Sequence, residues 1–141
     1  MRIFGFIVAL VTTIVVITNP ELFNVPSLFV VVGGTIAGLM ASFGTGVGSA
    51  FKAILTRNPS RETIYLGVAV CDRGRSLAVA TGVVGTFIGL AIMLKHMDSP
   101  MAIGPGLSVS FLTLIYGMLL AYGILTPLVS SLKRRLEELE S

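Results

Sequence analysis

Residues 82–127 read GVVGTFIGLAIML, KHMDSPMAIGPG and LSVSFLTLIYGMLLAYGILTP in succession, two apolar segments around a polar turn. Counted with the apolar residues before Gly82, each segment reaches the roughly 20 residues that a helix needs to cross a hydrocarbon core. Neither is a uniform surface of leucine. On the second segment Gly106, Ser110, Thr113, Gly117 and Ala121 recur at steps of three and four, and on the first Gly82, Thr86 and Gly89 do so beside Gly85. Such spacing gathers side chains on one helix face, and small residues let backbones approach closely in lipid. The stretch therefore predicts an antiparallel membrane hairpin whose two helices carry small, hydroxylated faces.

The rest of the chain is built around that hairpin. Of the 141 residues 54% are hydrophobic and 12% charged, and the mean hydropathy is +0.93. A soluble domain carries about 25% charged residues, so the composition predicts an all-α membrane protein forming a single membrane domain over residues 1–141. A first span is expected at residues 3–18, and its flank ITNPELFN lacks the small-residue site of a cleaved signal peptide. Pro20 and Pro26 bound a short turn into a second span at 27–43, where Gly34 and Gly38 form a small-xxx-small pair. Third and fourth spans are expected at 76–94 and 107–128.

The connections are short. The glycines of GTGVGS (44–49) lack the Lys and Ser/Thr ending of a phosphate-binding loop and read as a flexible exit from the bilayer. Within the link at 44–75, Ser60 before Arg61 and Glu62 reads as a helix cap. The apolar run it opens leads towards the third span, lying at the membrane interface or against neighbouring subunits. Asp98, Ser99 and Pro100 read as the start of a short helical turn that Gly104, Pro105 and Gly106 end, and the tail at 129–141 reads as an amphipathic extension into water. Of the ten Lys and Arg residues only Lys95 falls between spans three and four. The positive-inside rule then puts both termini and the link in the cytoplasm. The net charge of +3 serves orientation against the membrane rather than nucleic-acid binding.

The chemistry left to the spans is narrow. Cys71 and His96 are single, which argues against an intramolecular disulfide, a zinc site or a hydrolytic triad, and hence against an enzyme. No Asp, Glu, Lys, Arg or His interrupts any of the four spans, although such residues mark proton and ion routes. The hydroxyl faces have two readings. One is helix packing, with each hydroxyl bonded to its own helix. The other is a narrow cavity in which a helix from a partner, carrying the missing carboxylate, is held. Pro127 either ends the fourth helix or bends it, and Tyr116 and Tyr122 read as interfacial or interhelical anchors.

Residues 85–90 (GTFIGL), then Met93, Leu94, Met97, Asp98, Pro100, the run AIGP at 102–105, Leu112, Thr113, Tyr116, Gly117 and Pro127, resemble the last two membrane helices of the MotA/TolQ/ExbB proton-channel family. The likeness is nearest to the MotA/PomA-type flagellar stator subunits, and SLFVVVGG at 27–34 is similar to their second helix. The resemblance implies a ring, a pentamer, around a single-span partner of the MotB/PomB/ExbD kind whose membrane aspartate carries H+ or Na+. The setting it implies is multi-pass insertion in the bacterial cytoplasmic membrane. No cofactor is implied beyond the transported ion. Thr86 and Thr113, with Ser110 on the same face, would line the ion route; Gly82, Gly85, Gly89 and Gly117 would allow close packing, and Pro127 falls on the family's fourth-helix proline. Three features depart from the pattern: Leu114 stands where a second threonine is expected, Val79 where the third helix has a proline, and the link at 44–75 leaves no room for the large cytoplasmic domain. They keep open the alternative of a non-conducting membrane scaffold.

Overall fold

A computed structural model describes residues 14, 18–20, 23–56, 59–98 and 100–140. The first span expected at 3–18 lies outside the described residues, apart from Ile14 and Thr18, which are helical. Among the described residues the chain is helical with no strand: α1 (Val25–Phe43), α2 (Gly46–Leu55), α3 (Arg61–Lys95), α4 (Pro100–Met118), a π-helical segment (Leu119–Leu125) and α5 (Thr126–Glu140). Among the described residues, three stretches are long and apolar enough to cross a membrane, namely Val25–Phe43, Arg61–Lys95 and Ile103–Leu139.

Local signals place the helix starts. Asn24 is extended, and its side-chain oxygen accepts from the Ser27 N–H at 3.1 Å. That satisfies one of the free donors of a helix N-terminus. Pro26 sits in the first turn of α1, where its missing N–H costs nothing. Ser60 occupies the cap position of α3 with extended φ and ψ, but its hydroxyl pairs with that of Thr63 instead of a backbone N–H.

Two expected connections take another form. The residues after the second span form a tight turn and a new helix in place of a flexible exit. Gly44, at φ 55°, closes α1 by donating its N–H to the Met40 carbonyl at 2.8 Å, and α2 begins at Gly46. Nor do Gly104, Pro105 and Gly106 end a short turn, because α4 runs through them from Pro100. Pro105 lies barely beyond the first turn and removes a single backbone bond, a small loss there compared with a helix interior.

The apolar run after Ser60 joins the third span in one helix of 35 residues, about 52 Å at 1.5 Å per residue. Asp72 and Arg75, which pair at 3.2 Å one turn apart, ride on it without interrupting it. Its first half packs against this chain's own helices. Ile64 and Cys71 of α3 meet Val129 and Leu132 of α5, with Ile54 of α2 beside them. Above that layer Leu39 of α1, Ala50 of α2 and Val70 of α3 form a second cluster. Val31 of α1 with Leu112 and Tyr116 of α4 forms a third.

The lowest layer locks the amphipathic end of the long C-terminal helix to α3. Leu132→Ala is expected to lower unfolding stability by about 2–5 kcal/mol, the range for truncating a buried leucine. Thermal unfolding in detergent, followed by loss of helical circular dichroism, measures it.

Candidate functional site

The sequence that places small residues on matching faces of α3 and α4 brings those faces together within one subunit. Gly82 meets Gly117, Gly85 meets Thr113, Gly89 meets Ser110, and Gly106 meets Met93. The crossing is closest at Gly117, where a Cβ would lie 2.6 Å from the Ala78 carbonyl oxygen and 2.9 Å from the Gly82 Cα. Both neighbours are backbone and cannot turn aside. A Cβ on Gly85 would come within 2.5 Å of the Thr113 methyl.

The three hydroxyls expected on an ion route all lie along this seam. Ser110 and Thr113 are buried, 1% and 3% exposed. Each donates back to its own helix, Ser110 to the Gly106 carbonyl at 2.9 Å and Thr113 to the Val109 carbonyl at 2.8 Å. Thr86 differs. It is partly exposed, and its Oγ1 lies 2.8 Å from the Gly82 carbonyl and 3.0 Å from the Ser110 carbonyl on the facing helix. A threonine hydroxyl has one proton to donate, so Thr86 can exchange between an intrahelical and an interhelical acceptor without moving its backbone.

Pro127 directly follows the π-helical segment and Thr126. Thr126 sends both its backbone N–H and its hydroxyl to the Ala121 carbonyl, five residues back, the hydroxyl at 2.9 Å. The wider turn is thus tied at its lower end by Thr126, next to a residue that has no N–H of its own. Tyr116 is buried as an interhelical anchor, and its phenol oxygen accepts from the Asn24 N–H at 3.0 Å. Tyr122 is exposed, beside a surface cleft with Ser76, Val79 and Ala80 of α3. Leu114 is half-buried.

A second polar seam, which residue spacing on α3 and α4 does not single out, joins α1 to the hairpin. Thr35 of α1 is 4% exposed and lies 3.3 Å, hydroxyl to hydroxyl, from Thr81 of α3, whose Oγ1 is also 2.9 Å from the Leu77 carbonyl. Ser27, 2% exposed, reaches the Val109 carbonyl of α4 at 3.4 Å. The signal for it in the sequence is the four-residue step of Ser27, Val31, Thr35 and Leu39, the buried stripe of α1.

These features define a helical membrane protein built on a close-packed pair of apolar helix segments, with every buried hydroxyl among the described residues bonded inside the subunit. Residues 50–141 match the sequence profile of the MotA/TolQ/ExbB proton channel family, and the chain belongs to that family. It is 38% identical over 73 residues to Motility protein A of Aquifex aeolicus, covering 52% of this chain and 29% of that one. Against Chemotaxis protein PomA of Vibrio alginolyticus the identity is 35% over 92 residues, 65% of this chain and 36% of that one. Motility protein A of Cereibacter sphaeroides is 46% identical over 54 residues, 38% and 21% of the two chains. The matched stretches thus span little more than a third of these relatives at most.

The crossing makes a direct prediction. Gly117→Ala is expected to destabilise the fold by about 1–3 kcal/mol, the cost of overpacking a tight interface. Gly33→Ala, which has open space at its Cβ, is expected to be neutral or to stabilise by up to about 1 kcal/mol. Melting temperatures of the two variants in one detergent decide it.

Proposed function

We propose that this chain is a ring-forming subunit of an ion-driven membrane motor or energy-coupling complex, converting proton or sodium flow into rotation or mechanical work. In this reading it makes four passes through the bacterial cytoplasmic membrane, with both termini and the 44–75 link in the cytoplasm. Copies of it, forming a pentamer, surround a single-span partner that supplies the ion-binding aspartate. The observation that carries the reading is the pair of apolar segments at residues 82–94 and 107–127, free of Asp, Glu, Lys, Arg and His and inside the region that matches the family profile. Apolar segments with no Asp, Glu, Lys, Arg or His lack the residues that usually carry a proton or ion through the bilayer, so in this reading the carboxylate comes from another chain. The relatives named for motility and chemotaxis support the coupling of ion flow to work.

Within this proposal Thr86 is the residue that faces the ion. It is the partly exposed member of the three hydroxyls, and releasing either of its carbonyl acceptors frees an oxygen for a dehydrating cation or water. Ser110 and Thr113 hold the seam behind it. Pro127 and the π-helical segment beside it form the point at which the membrane half of the helix can move relative to α5.

The inward bonding of Ser110 and Thr113 favours a second reading, a scaffold that keeps the fold and no longer moves ions. Thr86→Val keeps the side-chain shape and removes the hydroxyl. It is expected to abolish ion flux in vesicles holding the chain with its single-span partner while leaving the melting temperature within a few degrees. Unchanged coupled activity in Thr86→Val selects the scaffold.

The chain alone, reconstituted in liposomes, is expected to hold a proton or sodium gradient, and flux is expected to appear only when the partner is added. Leakage of either ion through the chain alone would overturn the division of labour. Native mass spectrometry of the complex reads the number of copies in the ring.

A further inference from the structure

We infer that the surface cleft between α3 and the π-helical segment is a cation site, in which Asp72 receives the coupled ion after it has passed Thr86 and Arg75 displaces it again. The inference rests on the motor reading and extends its ion route by about 21 Å, the axial length of the fourteen residues from Thr86 down to Asp72.

Asp72, Val79 and Thr86 stand seven residues apart on α3, with Ser76 and Val83 between them. At 100° per residue the five fall within about 80° of one another and form a single stripe down the helix. None of the five is buried. The stripe runs beside the glycine face that meets α4, and Thr86 reaches across that seam to the Ser110 carbonyl. On the other side of α3, Leu77 and Thr81 pack against Gly38 and Gly34 of α1. At the lower end of the stripe Asp72, Arg75, Ser76, Val79 and Ala80 line a cleft of about 420 Å³, which Tyr122 lines from the π-helical segment.

The chemistry of the stripe is uneven. Thr86 and Ser76 carry hydroxyls, Val83 and Val79 are apolar, and the one carboxylate stands at the bottom. Arg73 lies about 100° round the helix from Asp72 and does not line the cleft. A cation that leaves the partner's aspartate beside Thr86 therefore crosses the two valines and meets Asp72. Rings of such carboxylates attract cations at channel mouths. Arg75 binds Asp72 at 3.2 Å, one turn along, and of the two the carboxylate is the more accessible, 59% exposed against 37%. Exposed ion pairs are held weakly, so this one opens to a competing cation. Arg75 then recovers the carboxylate, and the ion leaves, as conduction requires. For a proton the step is transfer from water to an Asp72 oxygen with loss of the ion pair, and return of the proton to water as the pair forms again.

Flux in vesicles holding the full chain with its single-span partner tests the site. Asp72→Asn is expected to lower flux about tenfold, the effect of removing one unit charge near the ion, and Asp72→Glu to restore most of it. The half-saturating cation concentration is expected to rise in Asp72→Asn and to fall in Arg75→Gln. A pair that only braces α3 would be broken alike by both variants, so shifts in the same direction overturn the site. Unchanged flux in Asp72→Asn with Thr86→Val still inactive also overturns it and leaves the motor reading standing, whereas absence of flux in the unsubstituted complex overturns the motor reading itself. In a Cys71→Ala background, Ser76→Cys, Val79→Cys and Val83→Cys are expected to react with a water-soluble, positively charged thiosulfonate several times faster than Val84→Cys, which is exposed but off the stripe. Reaction no faster than at Val84→Cys overturns the route by showing that lipid or a neighbouring subunit covers it.

Discussion

The structure depends on the contact of Gly82 with Gly117, where α3 and α4 approach until a single added methyl would strike backbone. In lipid two helices gain nothing by hiding leucine, because acyl chains are equally apolar. Association rests on close van der Waals packing and on hydrogen bonds that cross between helices. The glycines supply the first and Thr86, reaching the Ser110 carbonyl, the second. Register follows from this contact: Gly85 can meet Thr113, and Gly89 Ser110, only because Gly82 meets Gly117.

Below the hairpin a different force takes over. The layer of Ile64, Cys71, Val129 and Leu132 lies on helix segments that carry Arg61, Glu62, Asp72, Arg73, Lys133, Arg134 and Arg135, where water is available and burial of apolar area drives packing. The long C-terminal helix therefore satisfies two separate contacts, glycine-mediated above and hydrophobic below. The π-helical segment Leu119–Leu125 lies between them. A π turn inserts a residue into the helix and rotates the residues beyond it, so each half can present its own contact face to α3. This separation puts the widened turn beside Pro127, where the backbone bonding is already short of a donor.

Much of this was legible from residue spacing. The faces of α3 and α4 follow from three- and four-residue steps of Gly, Ser and Thr, and the helix start at Arg61 follows from Ser60, whereas α1 begins at Val25, two residues before the expected span. Other features were not. Gly104, Pro105 and Gly106 read as a stop, yet proline near a helix start costs one bond that packing can outweigh. GTGVGS reads as flexible because glycine is permissive, yet only Gly44 uses that freedom, and apolar contacts of Val47, Ala50 and Ile54 order the rest. The Thr35 and Thr81 pair lay hidden because each residue taken alone looks like an ordinary apolar-helix threonine.

By itself the sequence determined that the chain is helical and apolar enough for a membrane, which faces of its helices are small, and that no Asp, Glu, Lys, Arg or His lies within the apolar spans. Those properties are set by composition and by the fixed period of the helix. Tertiary structure alone decided where the hydroxyls point. Ser110 and Thr113 turn inward to their own carbonyls, and Thr86 is left at the seam between two acceptors, because a buried hydroxyl must find a partner and the nearest carbonyl depends on how closely two backbones approach.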